Sequence, residues 1–133
     1  MHDAEKDRLM EINHPETQAE VEAIFAAYEK ALLANDNATL LSMFLDNAAT
    51  IRYGVSEVQH GYGEITAFRK SQTPFTRRLE KTVITTYGRD FATASTLFIR
   101  PDLPGEIGRQ MQTWVRTSDG WKVAAAHVSM MPE

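Results

Sequence analysis

The chain has 133 residues, a mass of 15.0 kDa and a formal net charge of −4, with 43% hydrophobic and 24% charged residues. That length supports one domain with one core, and the balance of residues excludes a disordered chain. The absence of cysteine excludes disulfides and thiolate chemistry and suits the cytoplasm, no apolar run approaches the roughly 20 residues of a membrane span, and the charged start "MHDAEKDRLMEINHP" does not read as a secretion signal.

The charge is uneven along the chain. Residues 1–36 hold three basic groups against nine acidic ones, and the remainder holds eleven against nine. With no dense Lys/Arg face, nucleic-acid binding by bulk charge is not expected, but the later arginines can build a local anion site.

In chain order, residues 1–14 read as a polar arm and 15–133 as a single domain. Pro15 suits the first position of a helix, with Glu16, Glu20 and Glu22 near its positive end. Val21, Ile24, Phe25, Tyr28 and Leu32 then recur at helical spacing, so Tyr28 lies within an apolar stripe. "NDN" ends that helix and "ATLLSMFL" predicts a short second one. "AATIRYGV" and "SEVQHG" predict two short strands around a turn at Gly54, and "YGEITAFRKSQ" a third helix stopped by "TPF". Four longer strand-like segments follow: "RRLEKTVITTYG", "FATASTLFIR", "GRQMQTWVRT" and "WKVAAAHVSM". Their joints, "GRD", "PDLPGE" and "SDG", have turn chemistry.

Helices followed by a run of turn-linked strands predict an α+β fold with a mostly antiparallel sheet. Strands this long must twist strongly, and a bent sheet wrapped around the helices makes a cone with a pocket at its mouth. The last strand shows apolar residues on both faces, with Trp121, Val123 and Ala125 alternating against Ala124, Ala126, Val128 and Met130. One face packs on the helices. The other calls for cover by a second copy of the chain, giving a homodimer or a higher assembly such as a tetramer.

Arg52 falls in the middle of a predicted strand and cannot shed its charge. Either it points to water from an edge strand, or it projects into the cone and requires an anion. Glu57 is one internal candidate, and a ligand carboxylate, gripped bidentately, is the other. Tyr28 is a core tyrosine or, beside Arg52, a phenol made more acidic by the cation and so a better proton donor. His127 and Ser129 share a face with Trp121, Val123 and Ala125 by simple alternation, and become pocket groups if that face lines the cone. Gln112 and Trp114 alternate similarly on the preceding strand, and Arg69, following the apolar face of the third helix, is either a solvated cation or one that reaches the pocket rim. The four histidines have no metal-ligand spacing and no Gly-rich phosphate loop is present, so no metal and no cofactor are expected.

The order of elements, closing in "GWKVAAAHVS", resembles the nuclear transport factor two-like (NTF2-like, or SnoaL-like) cone fold over residues 15 to 130. More narrowly, "HPETQAEVEAIFAAYEKALLANDNATLLSMF", "TIRYGVSEVQHGYGEITAFR", "MQTWVR" and "GWKVAAAHVS" resemble the family of 1,3-dicarboxyurea decarboxylases and oxalurate-catabolism proteins. That resemblance implies a cofactor-free lyase of cyanuric acid breakdown that yields allophanate, with Tyr28 and Arg52 as the catalytic pair. Arg69, Gln112, Trp114, His127 and Ser129 are the expected substrate-binding set. An oxalurate-pathway accessory, a non-catalytic carboxylate-binding module, and a SnoaL-like isomerase or dehydratase remain alternatives; the last requires a carboxylate base in the pocket, and no Asp on a predicted inward strand face supplies one.

Overall fold

The computed structural model describes residues 11–133. The expected arm lies mostly outside these residues. Its end, from Glu11 to Asn13, is pinned to the sheet: Asn13 N–H donates to the Thr86 carbonyl (3.0 Å) and Gly88 N–H to that of Glu11 (2.9 Å).

Helix α1 (Pro15–Leu33) begins with proline at its first turn, and His14 caps it by accepting from Thr17 N–H through Nδ1. Its stripe Val21, Phe25, Tyr28 and Leu32 is buried against the sheet. A short helix α2 (Asn37–Ser42) follows, capped by Asp36, whose carboxylate accepts from the Thr39 N–H and hydroxyl. Strands β1 (Ile51–Tyr53) and β2 (Val58–His60) form a small hairpin ahead of helix α3 (Tyr62–Lys70). Four long strands complete the fold: β3 (Arg78–Tyr87), β4 (Phe91–Ile99), β5 (Glu106–Thr117) and β6 (Gly120–Pro132).

All six strands join one sheet in the order β2-β1-β6-β5-β4-β3. Every pairing is antiparallel except β1 with β6, which sets Arg52 opposite Ala126. The curved sheet folds over α1, and Trp114, Val123, Ala92, Ala94 and Ala126 meet the helix stripe in a single core. Fully burying a side chain such as Val21 or Val123 contributes about 1.5–3 kcal/mol, so this shared layer is the main force holding helix to sheet. The α+β cone expected from the sequence is the architecture observed.

One local feature changes which residues face the cone. In the β5–β6 ladder Trp114 opposes Val123, yet Thr113 opposes Ala125, so Ala124 is an extra, bulged residue. The bulge reverses the alternation of β6. Trp121, Val123, Ala126, Val128 and Met130 therefore share the inner face, while Ala125, His127 and Ser129 turn outward.

Candidate active site

The open end of the cone holds a cavity of about 370 Å³, bounded by α1, the β1–β2 hairpin, α3 and the inner faces of β4 to β6. Tyr28 stands at its inner end, placed there by the helix spacing that puts its ring into the core. The ring packs edge-on against Trp114 and tilted against Phe44, with centroids 5.9 and 6.2 Å away.

Arg52 lines the cavity, since β1 places it on the same face as Gln59 and Ala126. Its Nη1 donates to Glu57 Oε1 (3.1 Å) and Gln59 Oε1 (2.9 Å), and its guanidinium lies 4.3 Å over the Phe68 ring. The internal partner is thus Glu57, folded back across the hairpin turn. Burial would raise the Glu57 carboxyl, but hydrogen bonds from Arg52 and the Ser56 backbone, with the Arg52 charge, hold it below its ordinary value.

Arg69 is buried at the end of α3, where its Nε donates to the neutral amide oxygen of Asn37 (3.3 Å). Among the described residues no carboxylate pairs with it. Burial lowers its pKa, opposed by Tyr28 and reinforced by Arg52. Such a cation is the natural complement of an anionic ligand.

A third cavity arginine, Arg77, has no periodic pattern of its own in the sequence. It donates in bidentate fashion to Glu29 (2.9 and 2.6 Å), sends Nη1 to Gln110 Oε1 (3.1 Å), and stacks 4.6 Å over Phe98. One clue does exist. Glu29 lies four residues after Phe25, next to the buried stripe, and an acidic residue there implies a buried cationic partner.

The expected acidification of Tyr28 is corrected by this environment. Burial pushes the phenol above its ordinary 10.0, and the combined pull of Arg52, Arg77 and Arg69 does not bring it back. Tyr28 is therefore a neutral phenol encircled by cations, a donor that holds its proton until a strong base appears.

Of the expected binding residues, Arg69 and Gln112 line the cavity with Tyr28 and Arg52. Trp114 does not line it; the indole is completely buried beneath and donates Nε1–H to Gln112 Oε1 (3.0 Å). His127 and Ser129 do not line it either, because the Ala124 bulge turns them to the outer face. There His127 meets the Tyr53 ring edge-on and Ser129 accepts from Arg109 Nε (3.1 Å). Among the described residues no cluster of three or more His, Asp or Glu side chains is arranged to hold a metal.

The fold defines the class. A curved sheet over an N-terminal helix is the NTF2-like, cystatin-like architecture, and the chain is similar to an NTF2-like protein of unknown function from Pseudomonas putida KT2440, with a TM-score of 0.74 at 17% identity over 86% of each chain. Two solved structures are more alike in sequence. A protein of unknown function from Pectobacterium atrosepticum SCRI1043 is 48% identical over 90% of this chain and 94% of its own, with a TM-score of 0.88. A cystatin-like fold protein from Burkholderia xenovorans LB400 is also 48% identical, over 93% of this chain and 98% of its own, with a TM-score of 0.90. No curated protein matches the chain. The AtzH-like family model matches residues 10–133, and the chain belongs to the AtzH-like family.

Proposed function

We propose that this protein is a cofactor-free decarboxylase of an N-carboxylated urea, converting 1,3-dicarboxyurea to allophanate. One observation carries the reading: a buried, neutral phenol at Tyr28 that feels three guanidinium groups, of which Arg69 has no carboxylate partner among the described residues. A dianionic substrate supplies the missing negative charge.

In the reaction the bond between nitrogen and the carboxylate carbon breaks, carbon dioxide departs, and the bonding pair stays on nitrogen. That nitrogen is far more basic than a phenolate, so Tyr28 can protonate it even with a raised pKa. The phenolate left behind is stabilised by Arg52, Arg77 and Arg69 until solvent returns a proton. Decarboxylation moves charge out of the departing carboxylate, so Arg52 is best used on the carboxylate that stays, holding the planar substrate in register. The apolar Val128 and Met130 in the cavity wall suit the carboxylate that leaves as neutral carbon dioxide.

The test generates dicarboxyurea in situ from carboxybiuret with its amidase and follows allophanate with and without this protein. Acceleration is expected, and its loss in Arg52→Ala and Tyr28→Phe assigns the pair. Acceleration unchanged in both variants removes the pair from the mechanism. A second reading, a non-catalytic carboxylate-binding module, is favoured by the Arg52–Glu57 contact, which satisfies the arginine without chemistry. It gives carboxylate binding with no acceleration. We further propose a homodimer formed by the outer face of the sheet.

A further inference from the structure

Gln110 and Gln112 stand two residues apart on the inner face of β5, both buried and both lining the cavity. The oxygen of each amide is already committed. Gln110 Oε1 accepts from Arg77 Nη1 at 3.1 Å, and Gln112 Oε1 accepts from Trp114 Nε1 at 3.0 Å. Both partners are groups that can only donate, so the atom facing them must be oxygen and each NH₂ is turned the other way. Arg77 cannot easily release Gln110, because Glu29 and the Phe98 ring fix its plane. The consequence is a buried Gln110 Nε2 with no hydrogen-bond partner among the described residues, in a residue only 4% exposed. A buried donor left open in this way is costly unless a ligand completes it.

We propose that Gln110, with Gln112 beside it, forms an oxyanion site for the carbonyl oxygen at the centre of the ligand. The proposal rests on the decarboxylase reading and deepens it. When carbon dioxide leaves, the electron pair of the broken C–N bond conjugates from nitrogen onto the urea oxygen. N–H donors at that oxygen, with Gln110 Nε2 uncovered by a side-chain shift as the ligand enters, stabilise the charge as it develops, while Tyr28 gives its proton to the nitrogen. Atoms balance with one substrate dianion and one proton giving allophanate and carbon dioxide. One arginine-bound end, a second end against the apolar wall and an amide-bound centre also define the ligand class: a linear dicarboxylate with a hydrogen-bond acceptor in the middle.

The wild-type protein and one variant test this. 3-Oxoglutarate carries a ketone where dicarboxyurea has its urea carbonyl, and glutarate has the same length without it. By calorimetric titration, 3-oxoglutarate is expected to bind about tenfold more tightly than glutarate, and Gln110→Leu to abolish the preference. In the dicarboxyurea assay Gln110→Leu is expected to lower kcat about 10²-fold with KM changed only a few-fold, as for loss of one oxyanion donor. Equal binding of the two diacids, or a preference retained in Gln110→Leu, overturns the amide site and leaves the decarboxylase reading standing. Binding of neither diacid overturns both.

Discussion

Glu57 reaches back over the β1–β2 turn to Arg52, and the space it uses exists because residue 54 is glycine. A Cβ there would lie 1.7 Å from Glu57 Oε1. The carboxylate places a negative charge next to the guanidinium that a ligand carboxylate needs, so it opposes a dianion by Coulomb repulsion worth about 1 kcal/mol or more near a surface. Glu57→Gln is expected to tighten binding of a small dicarboxylate several-fold at neutral pH, measured by titration calorimetry; weaker binding would show that Glu57 belongs to the ligand site. The pH sign follows from its depressed pKa. The stability from this contact is present above the ordinary glutamate range and lost as pH falls through the lower folded value, so Glu57→Gln should flatten the acid side of the thermal-stability profile. Tyr28 behaves oppositely. Its raised pKa keeps the phenol protonated beyond the ordinary 10.0, and the stability from burying it neutral is full below that value and lost as pH rises through the folded pKa. An ultraviolet titration should therefore show one late-ionising phenol that disappears in Tyr28→Phe.

Between elements, one tight fit is where β4 meets β5. Gly108 lies under the Phe98 ring, and a Cβ at that position would come within 2.1 Å of it. Phe98 in turn supports the Arg77 plane. Gly108→Ala must push this buried ring aside, with an expected loss of about 1–3 kcal/mol on denaturant unfolding and weaker ligand binding through Arg77. The same strands explain what sequence alone can and cannot reveal. The helix stripe ending in Tyr28 and Leu32, Pro15 at the helix start, and the turns at "GRD" and "SDG" write their periods openly, and the element order follows from them. Arg52 and Gln112 are legible because strand alternation holds around them. His127 and Ser129 are misplaced because a run of three alanines hides the bulge: one extra small residue reverses every later side chain without a glycine or proline to mark it. Arg77 is illegible for another reason. It precedes β3, and no periodicity reports where a residue ahead of a strand will point.

On the scale of the whole molecule, the outer face of the sheet is the surface we propose as the dimer interface. Tyr53, Val83, Tyr87, Phe91, Met111 and Met131 are all exposed there, distributed from β1 across to β3. The bulge that removes His127 from the cavity delivers it to this face, opposite Met111, so one irregularity shapes the pocket and the outer surface together. An apolar sheet face of this extent, left in water, is an association surface, and a twofold pairing of identical faces closes without leaving a free edge to propagate. Met111 is half-exposed in the sheet's interior strand β5, so a charge there falls within any face-to-face contact. Sedimentation of the wild-type chain is expected to give twice the 15.0 kDa monomer mass, and Met111→Lys to give monomers with an unchanged circular dichroism spectrum. Because every residue named in the cavity comes from one chain, those monomers should still bind a small dicarboxylate. A dimer that survives Met111→Lys would move the interface away from the sheet, whereas monomers that lose binding would make the paired face a support for the cone itself.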